Sequence, residues 1–121
     1  MINRKLEGDS TFFYENDSLI LTMVETDTED GILMTLKGDL KKDTANPILD
    51  ELNDFSMVNV KVTVDFKDVT SISAAVMNAL LDAQQQIDQL EQGELVLRSI
   101  PDPIYREMDK IHLTELLMIE E

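Results

Sequence analysis

Side chains whose type and spacing could do chemistry occur at four places in this sequence. Asp65 and Asp68 flank the end of an apolar run, Val62-Thr63-Val64-Asp65-Phe66, where a strand-end carboxylate could accept a phosphoryl group. That reaction needs further acids for magnesium after an earlier strand and a lysine after a later one. The first strand-like run ends in Met23-Val24-Glu25 and supplies no such cluster. Glu25, Asp27, Glu29 and Asp30 invite calcium. An EF-hand loop begun at Glu25 needs glycine at its sixth position and glutamate at its twelfth, where this chain has Asp30 and Leu36, so no metal site is expected. His112, the single histidine, lies near the end of the last helix pattern with no serine or cysteine motif, and reads as a helix-end residue rather than a base. The fourth place is Thr70-Ser71-Ile72-Ser73, a set of hydroxyls just before a helical stripe. Ser73 or Ser71 could simply cap that helix. A phosphate there would also be welcomed by the helix dipole while repelling an acidic partner.

The elements that must position these residues follow from periodicity. Val60, Val62, Val64 and Phe66 alternate with polar residues, as in a strand with one buried face. Lys67 to Ser71 breaks the pattern and is expected as a tight turn. Val76, Leu80, Ala83, Ile87 and Leu90 then follow at steps of 4, 3, 4 and 3, a helical stripe widened by Met77 and Leu81. Upstream, residues 18–25 and 32–37 read as strands joined by a turn signalled by Asp30-Gly31. Gly38-Asp39 is expected to end the second. Asn46-Pro47 reads as a cap and first position of a helix ending near Ser56, with Ile48, Leu49, Leu52 and Phe55 as its apolar stripe. Gly93 precedes another strand at 94–98. Asp102-Pro103 is a second cap-and-first pair, with Ile104, Met108 and Ile111 behind it, and residues 113–119 could close as a helical turn and a last strand. The expectation is one α/β domain: a mixed sheet of four or five strands flanked by three or four helices, with parallel pairs joined by right-handed crossovers. Residues 1–17 stand apart as an N-terminal arm or an extra strand, and the run Thr11-Phe12-Phe13-Tyr14 leaves open a homodimer contact.

Composition narrows the function. A chain of 121 residues with 43% hydrophobic content can build one core. Without cysteine there are no disulfides, thiolate metal sites or cysteine nucleophiles. Twenty-five acids against ten bases give a formal charge of −15, which repels nucleic-acid backbones and anionic lipid but suits a protein partner with a basic face. No apolar run approaches a membrane span and no signal-peptide pattern opens the chain, so a cytoplasmic protein is expected. Neither GxxxxGK[ST] nor GxGxxG occurs, no cofactor is expected, and no catalytic constellation is present.

The stretch VTVDFKDVTSISAAVMNALLDA, from Val62 to Ala83, resembles the signature of STAS domains, the anti-sigma factor antagonists of bacteria and their relatives. Their motif runs from an apolar strand through Asp-Leu-Ser-Gly-Val and an aromatic–Ile pair to Asp-Ser-Ser-Gly-Leu or Ser-Ser-Ala-Gly-Leu, which opens a helix. Gly31 to Leu40 (GILMTLKGDL) looks like the family's second strand, Gly93 to Arg98 (GELVLR) like the strand after the signature helix, and Met108 to Leu117 like the closing helix, with His112 where glycine is usual. On this register Ser73 stands at the motif's Asp or first Ser, and Ala74 stands where switchable members are phosphorylated. Ala75 and Val76 replace the next small residue and the glycine.

The resemblance implies a STAS-like domain over 18–121 and a partner-docking surface of Asp68, Thr70, Ser71, Ser73, Ala74, Ala75, Met77 and Asn78. It does not carry over the switch hydroxyl, although Ser71 or Ser73 could serve as a displaced phosphoacceptor. The implied function is a non-catalytic module docking on an anti-sigma factor or kinase-fold regulator through residues 68–80. The alternative is a STAS-like scaffold or regulatory subunit of another assembly, such as a lipid-transport ABC system or a signalling complex.

Overall fold

Residues 2–29, 31–55, 61–89 and 93–120 are described by the computed structural model, Phe55 and Asp88 by backbone alone. The expectations for Asp30, Ser56, Val60, Leu90 and the Phe55 side chain lie outside that description. Alternation along the strands and the stripes on the helices fix a two-layer body. The sheet comprises β1 (Ile2–Glu7), β2 (Ser10–Glu15), β3 (Ser18–Asp27), β4 (Gly31–Leu40), β5 (Lys61–Ile72), β6 (Glu94–Arg98) and β7 (Met118–Glu120), hydrogen-bonded in sequence order. Strands β1 to β4 pair antiparallel, and β4 to β7 pair parallel. Each parallel step is bridged by a helix: α1 (Ala45–Phe55), α2 (Ala74–Asp88) and α3 (Asp102–Lys110).

Right-handed crossovers that advance always toward the same edge must all lie on one face of a sheet. The core shows this. Met23, Met34, Leu36, Val62, Val64, Phe66, Leu95 and Leu97 from the strands share one cluster with Ile48 and Leu52 of α1, Val76, Leu80, Ala83 and Ile87 of α2, and Ile104 and Met108 of α3. The strand residues between them point away from the helices. Val96, buried yet outside that cluster, is one of these.

Seven strands replace the expected four or five. The two additional strands are β1 and β2, which place residues 2–15 in the sheet as a hairpin on the β3 edge. Thr11 and Phe13 turn into the core opposite Met23 and Leu21, which accounts for half of the aromatic run. Strand β1 is exposed at every residue but Ile2 and has no apolar alternation, so its pairing cannot be read from its own residues.

Three boundaries also differ. The segment Lys67 to Ser71, expected as a turn, continues β5. Thr35 pairs with Asp65 and Lys37 with Asp68, so three steps on β5 answer two on β4, and a bulge absorbs the broken alternation. Strand β4 likewise runs past Gly38, whose φ of +114° is open to glycine, and reaches Leu40. Helix α1 begins before Asn46-Pro47, through a 3₁₀ turn at Lys42–Thr44. Pro47 then sits in the first helical turn, where its missing N–H breaks no bond. Helix α3 starts at Asp102 with Pro101 as its cap and stops at Lys110, which leaves Ile111 outward rather than on the buried stripe.

Candidate functional site

Parallel strands β4 and β5 end side by side, with Asp39 opposite Ser71 and Leu40 opposite Ile72. In open α/β sheets, sites form beyond such carboxyl ends. Here the chain turns from β5 into α2 within one residue, Ser73. Its extended backbone (φ −94°, ψ 161°) lets its Oγ accept the Val76 N–H at 3.3 Å, the geometry of an N-cap. Its own N–H donates to the Leu40 carbonyl at 2.8 Å, and its carbonyl accepts from Met77 N at 3.1 Å. One serine thus ties the helix start to both strands.

Around this knot the expected surface residues fall into distinct positions. Thr70, Ser71, Ala74 and Asn78 are exposed; Ser73 and Ala75 are half-buried. Ala74 and Asn78, one helical turn apart, share a face of α2. Met77 is buried in the core and supports the surface from beneath. Asp68 is exposed but pairs across the bulge with Lys37, on the sheet face that carries no helix. The Thr70 hydroxyl donates to the Asp39 carboxylate in a short hydrogen bond. Asp39 was absent from the residues expected at this site. The parallel reading of the two strands was the signal for it, since pairing in parallel must bring the Gly38-Asp39-Leu40 end of β4 beside the end of β5.

Asp65, the other carboxylate singled out by spacing, has a structural place. Its Oδ1 accepts the Lys67 N–H freed by the bulge at 2.9 Å, and its Oδ2 accepts from Arg98 Nε at 3.2 Å. Its side chain is only 4% exposed. A buried carboxylate hydrogen-bonded on both oxygens in this way is placed to hold the strand register. His112 takes the left-handed conformation at φ 61°, which glycine adopts most easily, and its side chain points into solvent.

One group outside the junction has a strongly altered acidity. Glu25 of β3 faces α1, and burial pushes its carboxyl up to about 7. The hydrogen bond and charge of Glu51 and the charge of Asp54 push the same way, against Arg4 of β1. Among the described residues no group of three or more His, Asp or Glu side chains is arranged to hold a metal ion, and no helix is long and apolar enough to cross a membrane.

The arrangement defines a class: a one-layer helical cover on a mixed sheet, with a capped strand–helix junction that carries small and hydroxyl side chains at its surface. The family model described as "Mlab, STAS domain" matches residues 23–119, and the chain belongs to the STAS domain family. Solved structures share the fold. The protein TM1081 of Thermotoga maritima is 18% identical, with a TM-score of 0.69 over 82% of this chain and 86% of that one. An anti-sigma factor antagonist from Mycobacterium paratuberculosis is 11% identical, with a TM-score of 0.69 over 82% and 84%. The anti-sigma factor antagonist SpoIIAA of Bacillus, in its unphosphorylated form, is 12% identical, with a TM-score of 0.63 over 82% and 87%. No curated protein matches the chain in sequence.

Proposed function

We propose that this STAS domain is a non-catalytic docking module that binds an anti-sigma factor or kinase-fold regulator through residues 68–80, without the serine switch. The observation that carries the proposal is the occupancy of the junction. The first residue of α2, at the exposed tip, is Ala74, which offers no hydroxyl, while the hydroxyl beside it on Ser73 is engaged in capping. Ser71, the exposed alternative acceptor, lies in register with Asp39, so a phosphate there would meet an acid at once. Small side chains at Ala74 and Ala75 let a partner approach the helix start closely, and the acidic character of the chain suits a partner with a basic face.

The same missing hydroxyl supports a second reading. A subunit held permanently in an assembly, such as a lipid-transport ABC system or a signalling complex, has no use for a reset. Tagged protein and an Ala74→Glu variant, each used to capture partners from its native cells, separate the two. A kinase-fold anti-sigma factor retained by the parent and lost by Ala74→Glu is the expected result. Transporter subunits or other STAS proteins lost in the same way select the second reading. Partners retained equally by both proteins would show that the junction is not the docking surface.

A further inference from the structure

The helices cover one face of the sheet, and the other face has a charge pattern of its own. Register sets its side chains in rows across the strands. Thr26, Leu33, Thr63, Val96 and Met118 form one row, from β3 to β7, without a charge. Two residues further along β5 and β6 stand Asp65 and Arg98, and two residues back stand Lys61 and Glu94, each pair side by side. Alternation puts these residues on the open face, because Val62, Val64, Leu95 and Leu97 between them face the helices. A hollow of about 180 Å³ opens over Leu33 and Thr63, lined also by Lys61 and Arg98. The helical face differs: α1, α2 and α3 carry eight acids and two bases.

We propose that the open face is a dimer interface, on which a second copy of this chain lies sheet to sheet about a two-fold axis along the row from Thr26 to Met118. Such an axis sets each residue of the row against itself, Thr63 on Thr63, and reverses the strands. A residue two places beyond the row then meets the residue two places before it in the other copy. Asp65 stands over Lys61 of the second copy, and Arg98 stands over Glu94 of the second copy. The symmetry repeats both contacts. The four charges alternate in sign within each sheet and between the sheets, and the tilt of about 30° between stacked sheets keeps them adjacent near the axis. Arg98 is placed for this contact: its Nε is bonded to Asp65 while its side chain remains 37% exposed. Two copies meeting through their helices would instead bring acid against acid. Five strands about 4.8 Å apart, each with about five residues of about 3.3 Å, give a field of roughly 400 Å² per copy before side-chain relief is counted. The two copies together come near the about 1,000 Å² at which specific interfaces begin, so a dimer in exchange with monomer is expected. The junction at residues 68–80 lies beyond these rows, and the dimer stands whether or not that reading holds.

Sedimentation of the full chain over a range of concentrations tests the proposal, together with Glu94→Lys and two single-cysteine variants. An equilibrium between monomer and dimer that stops at the dimer is expected. Glu94→Lys sets a second positive charge against Arg98 of the other copy and should weaken the dimer about tenfold, in protein whose circular dichroism is unchanged. The chain has no cysteine of its own, so Thr63→Cys and Tyr105→Cys each place one thiol, the first on the axis and the second on α3. A short bismaleimide should join Thr63→Cys into dimers several-fold faster than Tyr105→Cys, although Tyr105 is the more exposed side chain. This comparison reads the interface even if Glu94→Lys fails to fold. A chain that stays monomeric at every concentration, association that grows past the dimer, a dimer unaffected by Glu94→Lys in folded protein, or Tyr105→Cys joined as fast as Thr63→Cys would each overturn it.

Discussion

The β4–β5 pair and the β1–β2 hairpin belong to one sheet but are held in it by different means. Strands β4 and β5 lie beneath α1 and α2, and Met34, Leu36, Val62, Val64 and Phe66 are fully buried. The hairpin contributes Thr11 and Phe13 to the core, and its outer strand is solvent-exposed except at Ile2. It also lies outside the span matched by the family model, which begins at residue 23. A strand can therefore enter a sheet largely through its backbone, with Ile2 its one side chain packed on the core, when a neighbour supplies the apolar face. Removing its side chains from the core should then cost far less than removing those of the inner strands.

The largest effect expected from that contrast is at Phe66. Phe66→Ala removes a fully buried ring from the centre of the core and should lower unfolding stability by about 3–5 kcal/mol, read as a lower urea midpoint at unchanged slope. We propose in turn that residues 18–121 hold the domain by themselves. A chain lacking residues 2–17 should keep its helical circular dichroism and a single cooperative transition. Its loss should be about 2–3 kcal/mol, the burial lost with Phe13. Collapse of the truncated chain to a non-cooperative state would erase the distinction between the two regions.

The same contrast explains what could be read in advance. The inner elements were legible because burial imposes a period: Val62, Val64 and Phe66 alternate on β5, and Val76, Leu80, Ala83 and Ile87 follow a helical stripe, all now in the core. The hairpin was not legible, because INRKLE has no buried face to impose a period and its pairing is fixed by β2. At the junction, residue type and position limited the cap to Ser73 or Ser71, and the structure has it at Ser73. The bulge that prolongs β5 did not, since it depends on Asp65 finding both the Lys67 N–H and Arg98, a partner 33 residues away. Asp39 went unnoticed for a similar reason. It joins the site through parallel register, which local pattern does not express.

A smaller effect sharpens the comparison at the junction. Ser73→Ala removes the cap on α2 and should cost about 1 kcal/mol, while Ala74→Ser leaves the cap in place and should be close to neutral in the same denaturation experiment. Equal losses from the two substitutions would mean that the helix start is held by packing and not by the serine.

The smallest effect is expected at the boundary between the regions, where Glu25 of β3 meets α1. Its carboxyl has an ordinary value of 4.5 and is raised to about 7 in the folded chain, first by burial and then by Glu51 and Asp54. The folded state therefore holds this proton more tightly than the unfolded state. The stabilisation is complete below pH 4.5 and is lost as pH rises through 7, so between those values stability should fall with increasing pH. The informative quantity is the difference between the parent and Glu25→Gln. The variant keeps the shape and hydrogen-bonding capacity of the protonated acid but cannot ionise, and its stability relative to the parent should rise as pH moves from 5 to 8. The rise should be modest because water reaches this partly exposed cleft and screens the charges. A pH-independent difference would place the proton elsewhere in the cluster, with Glu51 as the group to substitute next.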